Sequence, residues 1–116
     1  MESFEIEWDI TGKCPVILLI GDITGDSSEK LQAVYHKIID AGSADTLIFD
    51  FKNSRYINSS GISSLIRILH KHQEKNGKFI FTGLTDHLIK VLDIVGLTEY
   101  ITICDSIDSA FAAADQ

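Results

Sequence analysis

The sequence Tyr56-Ile57-Asn58-Ser59-Ser60-Gly61-Ile62 lies near the middle of the chain and joins two segments of different periodicity. Residues 46–51, before it, are almost continuously apolar, which is typical of a strand covered on both faces. Residues 62–69, after it, carry apolar side chains at positions 62, 65, 66 and 69, which form one face of a helix. The stretch therefore predicts a strand that passes into a helix, with two adjacent serines at the junction.

The N-terminal part of the chain predicts a β-hairpin. Residues 4–10 alternate apolar and polar side chains, as a strand with one solvated face does. Thr11-Gly12-Lys13 indicates a turn, and residues 14–20 are again almost all apolar, as expected of a strand covered on both faces. The short connection favours antiparallel pairing of these two strands.

A first helix is predicted after a loop over residues 21–26. Asp26-Ser27-Ser28-Glu29 has the pattern of a capping box, and Gly42 is a suitable C-terminal stop. The apolar residues between them recur with helical spacing at Leu31, Val34, Tyr35, Ile38 and Ile39. Because this helix separates two apolar strands, a parallel βαβ unit is expected.

The C-terminal half continues the alternation of helices and strands. Asn76-Gly77 ends the second helix, Lys78–Thr82 is the next strand, and Thr85 caps a third helix that Gly96 closes. The stripe of this third helix consists of Leu88, Val91, Leu92 and Val95. Residues 100–104 then predict a short strand, and Asp105 or Ser106 caps a last helix with inward positions Ile107, Ala110, Phe111 and Ala114.

These elements predict a single α/β domain over residues 1–116, in the order β-β-α-β-α-β-α-β-α. The expected sheet is mixed and mostly parallel, with about five strands, and its four helices lie mainly on one face. Trp8 and Phe4, expected to be exposed near an edge strand, could support a weak homodimer.

Composition restricts the classes of function. The chain has 116 residues, 45% of them hydrophobic, and a formal net charge of −7. This acidic balance opposes binding to nucleic acid or to anionic membranes, because no basic field neutralises phosphates, but it allows a basic protein surface as partner. The apolar run over residues 15–20 is too short to span a bilayer, and residues 1–5 do not resemble a signal peptide. We therefore expect a cytoplasmic protein without membrane insertion.

The motifs of common enzymes and metal sites are absent from the sequence. Residues 61–65 lack the second Gly of a nucleophile elbow, and the loop over residues 21–28 lacks the Lys-Ser or Lys-Thr of a P-loop. Cys14 and Cys104 have no CxxC spacing and are expected to be reduced, buried thiols. The histidines lack the helical spacing of a metal pair and are expected to be solvated or structural: His36, His70, His72 and His87. No enzyme, cofactor or metal is expected.

The serine pair at the strand-to-helix junction has two compatible interpretations. One serine can cap the helix by accepting a hydrogen bond from a backbone N–H group. The same helix start also favours an added anion, because its N–H groups and dipole are positive. A phosphoryl group there would bring about −1.5 to −2 charges. Ser60 could cap while Ser59 projects outward.

Three stretches, in order and at workable spacing, carry a family resemblance. Leu19-Ile20-Gly21-Asp22-Ile23 is an apolar–Gly–acidic–apolar turn after a strand. Phe49-Asp50-Phe51, followed by Ile57-Asn58-Ser59-Ser60-Gly61-Ile62, is a strand, a short loop and a helix start with two serines before Gly. Residues 92–97 and 103–110 contain an apolar-Gly-Leu turn, a short strand and a Ser-x-x-x-Ala helix. Together they resemble the STAS domain family, most closely its stand-alone members, the bacterial anti-sigma factor antagonists.

The resemblance implies a phosphorylation switch in transcription regulation. In the antagonists, the first hydroxyl residue of the middle motif, here Ser59, is phosphorylated by a serine kinase that is also the anti-sigma factor. The unphosphorylated antagonist binds this kinase and frees the sigma factor, and a cognate phosphatase resets the switch. The resemblance places the partner-binding surface at Asp22, Thr24, Asp26, Asn58, Ser59, Ser60, Ser63 and Arg67.

The sequence departs from the antagonist pattern at Asn58 and Thr24, where the family usually carries Asp. This supports an alternative: a STAS accessory or scaffold subunit, of a lipid ABC transporter or a stress-signalling complex, that is not switched by phosphorylation. A further alternative is a nucleotide-sensing STAS module that uses residues 25–28, although this loop has no Lys or Arg before Lys30.

Overall fold

A computed structural model of the chain describes residues 3–10, 14–42 and 45–115. Its sheet has five strands in sequential order, and β1 is antiparallel to β2 while the other neighbours are parallel. The strands are β1 (Glu5–Asp9), β2 (Val16–Ile20), β3 (Thr46–Asn53), β4 (Lys78–Thr82) and β5 (Thr102–Cys104). The hairpin and the parallel βαβ unit are therefore confirmed, whereas the turn predicted at Thr11-Gly12-Lys13 lies outside the described residues.

Four α-helices connect or follow these strands, which confirms the predicted order β-β-α-β-α-β-α-β-α. They are α1 (Ser28–Asp40), α2 (Ser59–Gln73), α3 (Asp86–Ile94) and α4 (Ile107–Ala114). Thr85 caps α3 by accepting a hydrogen bond from Leu88 N at 3.1 Å, and Ser106 caps α4 in the same way from Ser109 N at 3.1 Å. Val95, predicted on the stripe of α3, is 44% exposed because α3 ends at Ile94.

The main core lies between the sheet and the helices α1, α2 and α3. Phe49 stands at its centre, with ring centroids 5.0 Å from Phe79 and 5.6 Å from Phe81. A smaller apolar cluster on the opposite face packs α4 through Ala110 against Ile48 and Ile80. Three helices therefore cover one face and the eight-residue helix α4 covers part of the other, which confirms the prediction that the helices lie mainly on one face.

The start of α1 differs from the prediction. Asp26 does not cap the helix, because it lies inside a 3-10 turn, Gly25–Ser27, that precedes α1. Ser27 Oγ accepts a hydrogen bond from Thr24 N at 3.0 Å and donates one to the Asp22 carbonyl at 3.3 Å. The loop is closed by Thr24 and Ser27, so Ser27 is fully buried and the Asp26 side chain stays in solvent.

Two side chains, Phe4 and Cys104, differ in burial from the expectation. Phe4 is 6% exposed and belongs to the main core, so the expectation that it is exposed beside the edge strand is wrong. Trp8 is 41% exposed, as expected. Phe4 is buried because the chain before β1 passes over Gly21, where a Cβ atom would meet the Ser3 carbonyl. Cys14 is buried as predicted, but Cys104 is only half-buried.

His72 is a structural histidine, as predicted for this group of residues. Its ring is 1% exposed, with Tyr35 Oη 3.2 Å from Nδ1 and the Asp45 carbonyl 2.9 Å from Nε2. A carbonyl oxygen can only accept, so Nε2 carries the proton and Nδ1 accepts from the Tyr35 hydroxyl. Burial lowers the pKa of His72, which keeps the imidazole neutral in this arrangement. The other histidines are exposed: His36, His70 and His87.

Candidate functional site

The candidate site forms where the chain leaves β2 and β3, which are parallel neighbours and therefore end at the same edge of the sheet. Beyond the strands the two loops stay paired. Gly21 N donates to the Asn53 carbonyl at 2.9 Å, and Ile23 N donates to the Tyr56 carbonyl at 3.0 Å. Asn58 N completes this bridge by donating to the Ile23 carbonyl at 3.1 Å. The loop after β2 is thus held against the chain segment that enters α2.

Side chains strengthen the same contact. The hydroxyl of Ser54, which is buried, donates to the Gly21 carbonyl at 2.7 Å. Gly61, in the first turn of α2, faces the Ile23 backbone so closely that a Cβ atom would collide with its carbonyl group. The Gly after the two serines is therefore required by the approach of the loop to the helix.

Asn58 caps α2. It is the last extended residue before the helix, with φ −102° and ψ −179°, and its Oδ1 accepts a hydrogen bond from Gly61 N at 2.8 Å. The expectation that Ser60 is the cap is wrong, because Ser59 and Ser60 already belong to the first turn of the helix. A capping side chain must come from the residue that flanks the helix, and the pairing of Asn58 with Ile23 sets that position.

The two serines are both exposed, but they face different neighbours. The Cβ of Ser60 would lie 3.3 Å from a Cβ at Gly25, so Ser60 stands against the loop after β2. The carbonyl of Ser59 accepts a hydrogen bond from the hydroxyl of Ser63 at 3.1 Å, one turn later. Ser59 therefore presents a solvent-exposed hydroxyl at the first residue of α2, and no hydrogen bond within the described residues uses that hydroxyl.

The residues expected to bind a partner lie on the loop after β2 and on the outward side of α2. Asp22 and Thr24 are half-buried and Asp26 is exposed, on the loop that contacts the start of α2. Ser63 and Arg67 follow Ser59 at intervals of four residues and so share its side of the helix. Arg67 is about 12 Å from Ser59 along the helix axis, since each residue rises 1.5 Å. Its Nη1 instead donates to Ser28 Oγ of α1 at 3.4 Å.

Two exposed residues beside this surface were not identified from the sequence. Tyr56 is 50% exposed and Arg55 is also exposed, on the connection between β3 and α2. Tyrosine and arginine are the residue types that interfaces favour. The signal for Tyr56 was its place after the polar residues 52–55, beyond the end of β3 and before the start of α2, where neither element buries it.

The arrangement offers hydroxyl groups, carboxylates and two arginines, Arg55 and Arg67, on an exposed surface. Among the described residues there is no group of three or more His, Cys, Asp or Glu side chains that could hold a metal ion. Lys30, the first cation after the loop, donates from Nζ to the Phe4 carbonyl at 2.8 Å. None of the helices in the described part of the chain is long and apolar enough to cross a membrane.

Comparison with known proteins now adds to this geometry. Residues 5–110 match the sequence profile of the STAS domain. The chain belongs to the STAS domain family. The match includes both loops of the candidate site and all four helices, except for the last residues of α4.

Three solved structures have the same fold as this chain at low sequence identity. An anti-sigma factor antagonist from Mycobacterium paratuberculosis is 18% identical, with a TM-score of 0.82 over 96% of its chain and 98% of this one. The Bacillus cell fate determinant SpoIIAA in its phosphorylated form is 22% identical, with a TM-score of 0.70 over 98% of its chain and 96% of this one. A sulfate transporter family protein from Wolinella succinogenes is 19% identical, with a TM-score of 0.76 over 83% of its chain and 86% of this one.

Proposed function

We propose that this STAS domain is an anti-sigma factor antagonist whose partner binding is switched by phosphorylation of Ser59. Unphosphorylated, it binds an anti-sigma factor serine kinase and so frees a sigma factor; a cognate phosphatase restores this form after phosphorylation. The observation that carries the proposal is the exposed hydroxyl of Ser59 at the start of α2, with capping supplied by Asn58.

Ser59 is a better acceptor than its neighbours for geometric reasons. Ser60 faces the loop at Gly25, which narrows the approach of a kinase. The hydroxyl of Ser63 donates to the Ser59 carbonyl and lies in the second turn of a regular helix. A kinase needs an accessible hydroxyl on a chain segment that it can enclose, and the end of a helix meets this need better than its interior. The positive end of the α2 dipole also favours the added phosphate.

Phosphorylation would act through charge on the binding surface. The nearest cation along the helix, Arg67, is about 12 Å away and contacts Ser28 instead. Asp22 and Asp26 on the adjacent loop add negative charge to the same surface. A dianion that lacks a paired cation is costly to bury in an interface. A loss of about 3 kcal/mol in binding, roughly a hundredfold in affinity, is enough for a switch, so no large conformational change is needed.

The test is to incubate the protein with the candidate kinase from its own cell and ATP, and to locate phosphate by peptide mass spectrometry. Label on Ser59, lost in Ser59→Ala and retained in Ser60→Ala, is the expected result. The absence of label from Ser59, together with kinase binding that is indifferent to Ser59→Asp, would reject the switch.

A second function is favoured by one observation at the same site. Asn58 stands where the antagonists usually carry Asp, so no carboxylate adjoins Ser59 on that side, and the Asn58 amide oxygen is used in the cap. A STAS subunit of a transporter or a signalling scaffold would need the surface but not the acceptor. The variant Asn58→Asp separates the two: faster phosphate incorporation supports the switch, whereas unchanged absence of label with retained partner binding supports the scaffold.

A further inference from the structure

The second face of the sheet contains apolar side chains that the described residues cover only in part. Strand β2 is apolar on both faces, and its alternate residues Ile17 and Leu19 lie in the main core. Val16 packs at the border of the smaller cluster under α4. Leu18 and Ile20 also point to this second face, since side chains alternate along a strand, yet they are half-buried and belong to neither cluster. We call Leu18 and Ile20 the open strip.

The strip is open because α4 is short and sits to one side. Its eight residues pack on β3, β4 and β5, not on the β1 edge of the sheet. An uninterrupted apolar strand is typical of a sheet covered on both faces, and the sequence of β2 has that character throughout. Among the described residues, the second-face cover that such a strand normally has is present over Val16 and incomplete over Leu18 and Ile20.

The surroundings of the strip are acidic. Glu7 is paired with Leu18, Glu5 with Ile20, and Asp9 with Val16, so the three carboxylates form a row along the strip. Glu5 and Glu7 are exposed and make no ion pair or side-chain hydrogen bond with the described residues. On the other side Leu18 is paired with Asp50, whose buried carboxylate accepts from Lys52 N at 3.0 Å and lies 3.9 Å from Lys52 Nζ. Lys52 is thus engaged with Asp50 and not with Glu5 or Glu7.

We propose that the open strip and the acidic row of β1 form a docking surface for a basic, amphipathic segment of a partner protein. The apolar side of such a segment would cover Leu18 and Ile20, and its Lys or Arg side chains would meet Glu5 and Glu7. A second copy of this chain does not fit, because two such rows would place like charges together. Nucleic acid and anionic lipid are repelled by the same row. Leu18 and Ile20 lie on the face of the sheet opposite α2, the helix that carries Ser59, so the proposed docking does not depend on the proposed switch.

The test is a binding experiment with isotope-labelled full-length chain followed by amide chemical shifts. The probe is a synthetic amphipathic helical peptide with Leu on one side and Lys on the other. A peptide with the same Leu side and Glu in place of Lys is the first control, and a peptide with Lys but Ser in place of Leu is the second. The expected result is that only the Lys/Leu peptide binds and that its largest shifts lie in residues 5–9 and 16–20.

Two pairs of variants then locate the interaction. Glu7→Lys is expected to lower the affinity for the Lys/Leu peptide at least tenfold. Glu99→Lys, the same change of charge at an exposed site in the turn before β5, is expected to change this affinity less than twofold. Leu18→Thr keeps a strand-forming residue and is expected to weaken binding at least tenfold, while Ile94→Thr, the same kind of change at an exposed apolar residue of α3, leaves it unchanged.

Other outcomes overturn the proposal. If Glu7→Lys and Glu99→Lys lowered the peptide affinity equally, or if the amide chemical shifts spread over the acidic residues of the helices, the peptide would be attracted only by the net charge of −7. Equal binding of the Glu/Leu peptide would show that the acidic row is not recognised, and absence of binding by the Lys/Leu peptide would show that the strip does not accept such a segment. Thermal unfolding of each variant identifies any change that merely prevents folding.

Discussion

Helices α1 and α2 both begin at two adjacent serines, but the two pairs have opposite surroundings. Ser27 is fully buried and makes hydrogen bonds with Thr24 N and the Asp22 carbonyl, and Ser28 accepts from Arg67. Ser59 and Ser60 are exposed, because Asn58 supplies the cap of α2. One pair closes a loop and the other is presented to solvent. In this chain the exposed pair is the one whose helix is capped by a different side chain, Asn58.

The largest effect expected from this comparison is on partner binding. Ser59→Asp should weaken binding to the proposed partner, an anti-sigma factor kinase, by roughly a hundredfold, about 3 kcal/mol, because it puts an unpaired charge on the proposed contact surface. Ser28→Asp, which adds the same charge beside Arg67, should change binding much less. Titration calorimetry with the kinase measures both. If the two variants lose affinity equally, Ser59 has no special place on the surface.

The contact between the loop after β2 and the first turn of α2 should be the point at which a substitution lowers stability most. Gly61→Ala forces a methyl group against the Ile23 carbonyl, and we expect it to lower the free energy of unfolding by about 2–3 kcal/mol. Ser60→Ala, its neighbour on the same turn, removes only an exposed hydroxyl and serves as the control. Denaturant unfolding followed by circular dichroism gives both values. A Gly61→Ala protein as stable as the control would mean that the loop can move away from the helix.

The buried serine should matter more for stability than the exposed one. Ser27→Ala removes the acceptor of Thr24 N and the donor to the Asp22 carbonyl, and we expect it to lower the free energy of unfolding by about 2 kcal/mol. Ser59→Ala should stay within about 0.5 kcal/mol of the parent, as surface substitutions usually do. Equal losses in the two variants, measured by the same unfolding experiment, would remove the structural contrast between the two pairs.

The smallest effect concerns the cap itself. Asn58→Ala should lower the free energy of unfolding by about 1 kcal/mol, while Asn58→Asp, which retains a capping oxygen, should have little effect. Thermal unfolding distinguishes them. If Ser60→Ala costs as much as Asn58→Ala, Ser60 shares the capping of α2.

Much of the fold could be predicted from local patterns, because helical and strand periodicities survive in each segment by themselves. Helix α2 was predicted from the apolar spacing that includes Leu65 and Leu69, and β1 was predicted from the alternation in residues 4–10. The burial of Phe4 could not be predicted in this way, since it depends on the chain crossing Gly21, a contact between distant segments. Cys104 lies on an edge strand, so its apolar neighbours in sequence do not enclose it.

For the candidate site, the set of residues could be predicted better than the role of each residue. The loop residues Asp22 and Asp26 and the helix residues Ser59 and Arg67 were grouped from the family resemblance, and the structure places the loop against the start of α2. The structural roles of individual residues could not be predicted as well. Asp26 and Ser60 were expected to cap helices, and Tyr56 was overlooked, because capping and exposure depend on the exact residue at which each loop meets its neighbour.

The sequence by itself determined the order of strands and helices, the parallel crossovers and the position of the serine junction, because these follow from periodicity and turn residues close together in the chain. Tertiary structure alone decided which side chain caps α2, since the pairing of Ile23 with Tyr56 and Asn58 selects the last extended residue. It also decided that Leu18 and Ile20 remain half-exposed, because the reach of α4 over the sheet is a property of packing between segments and not of either segment alone.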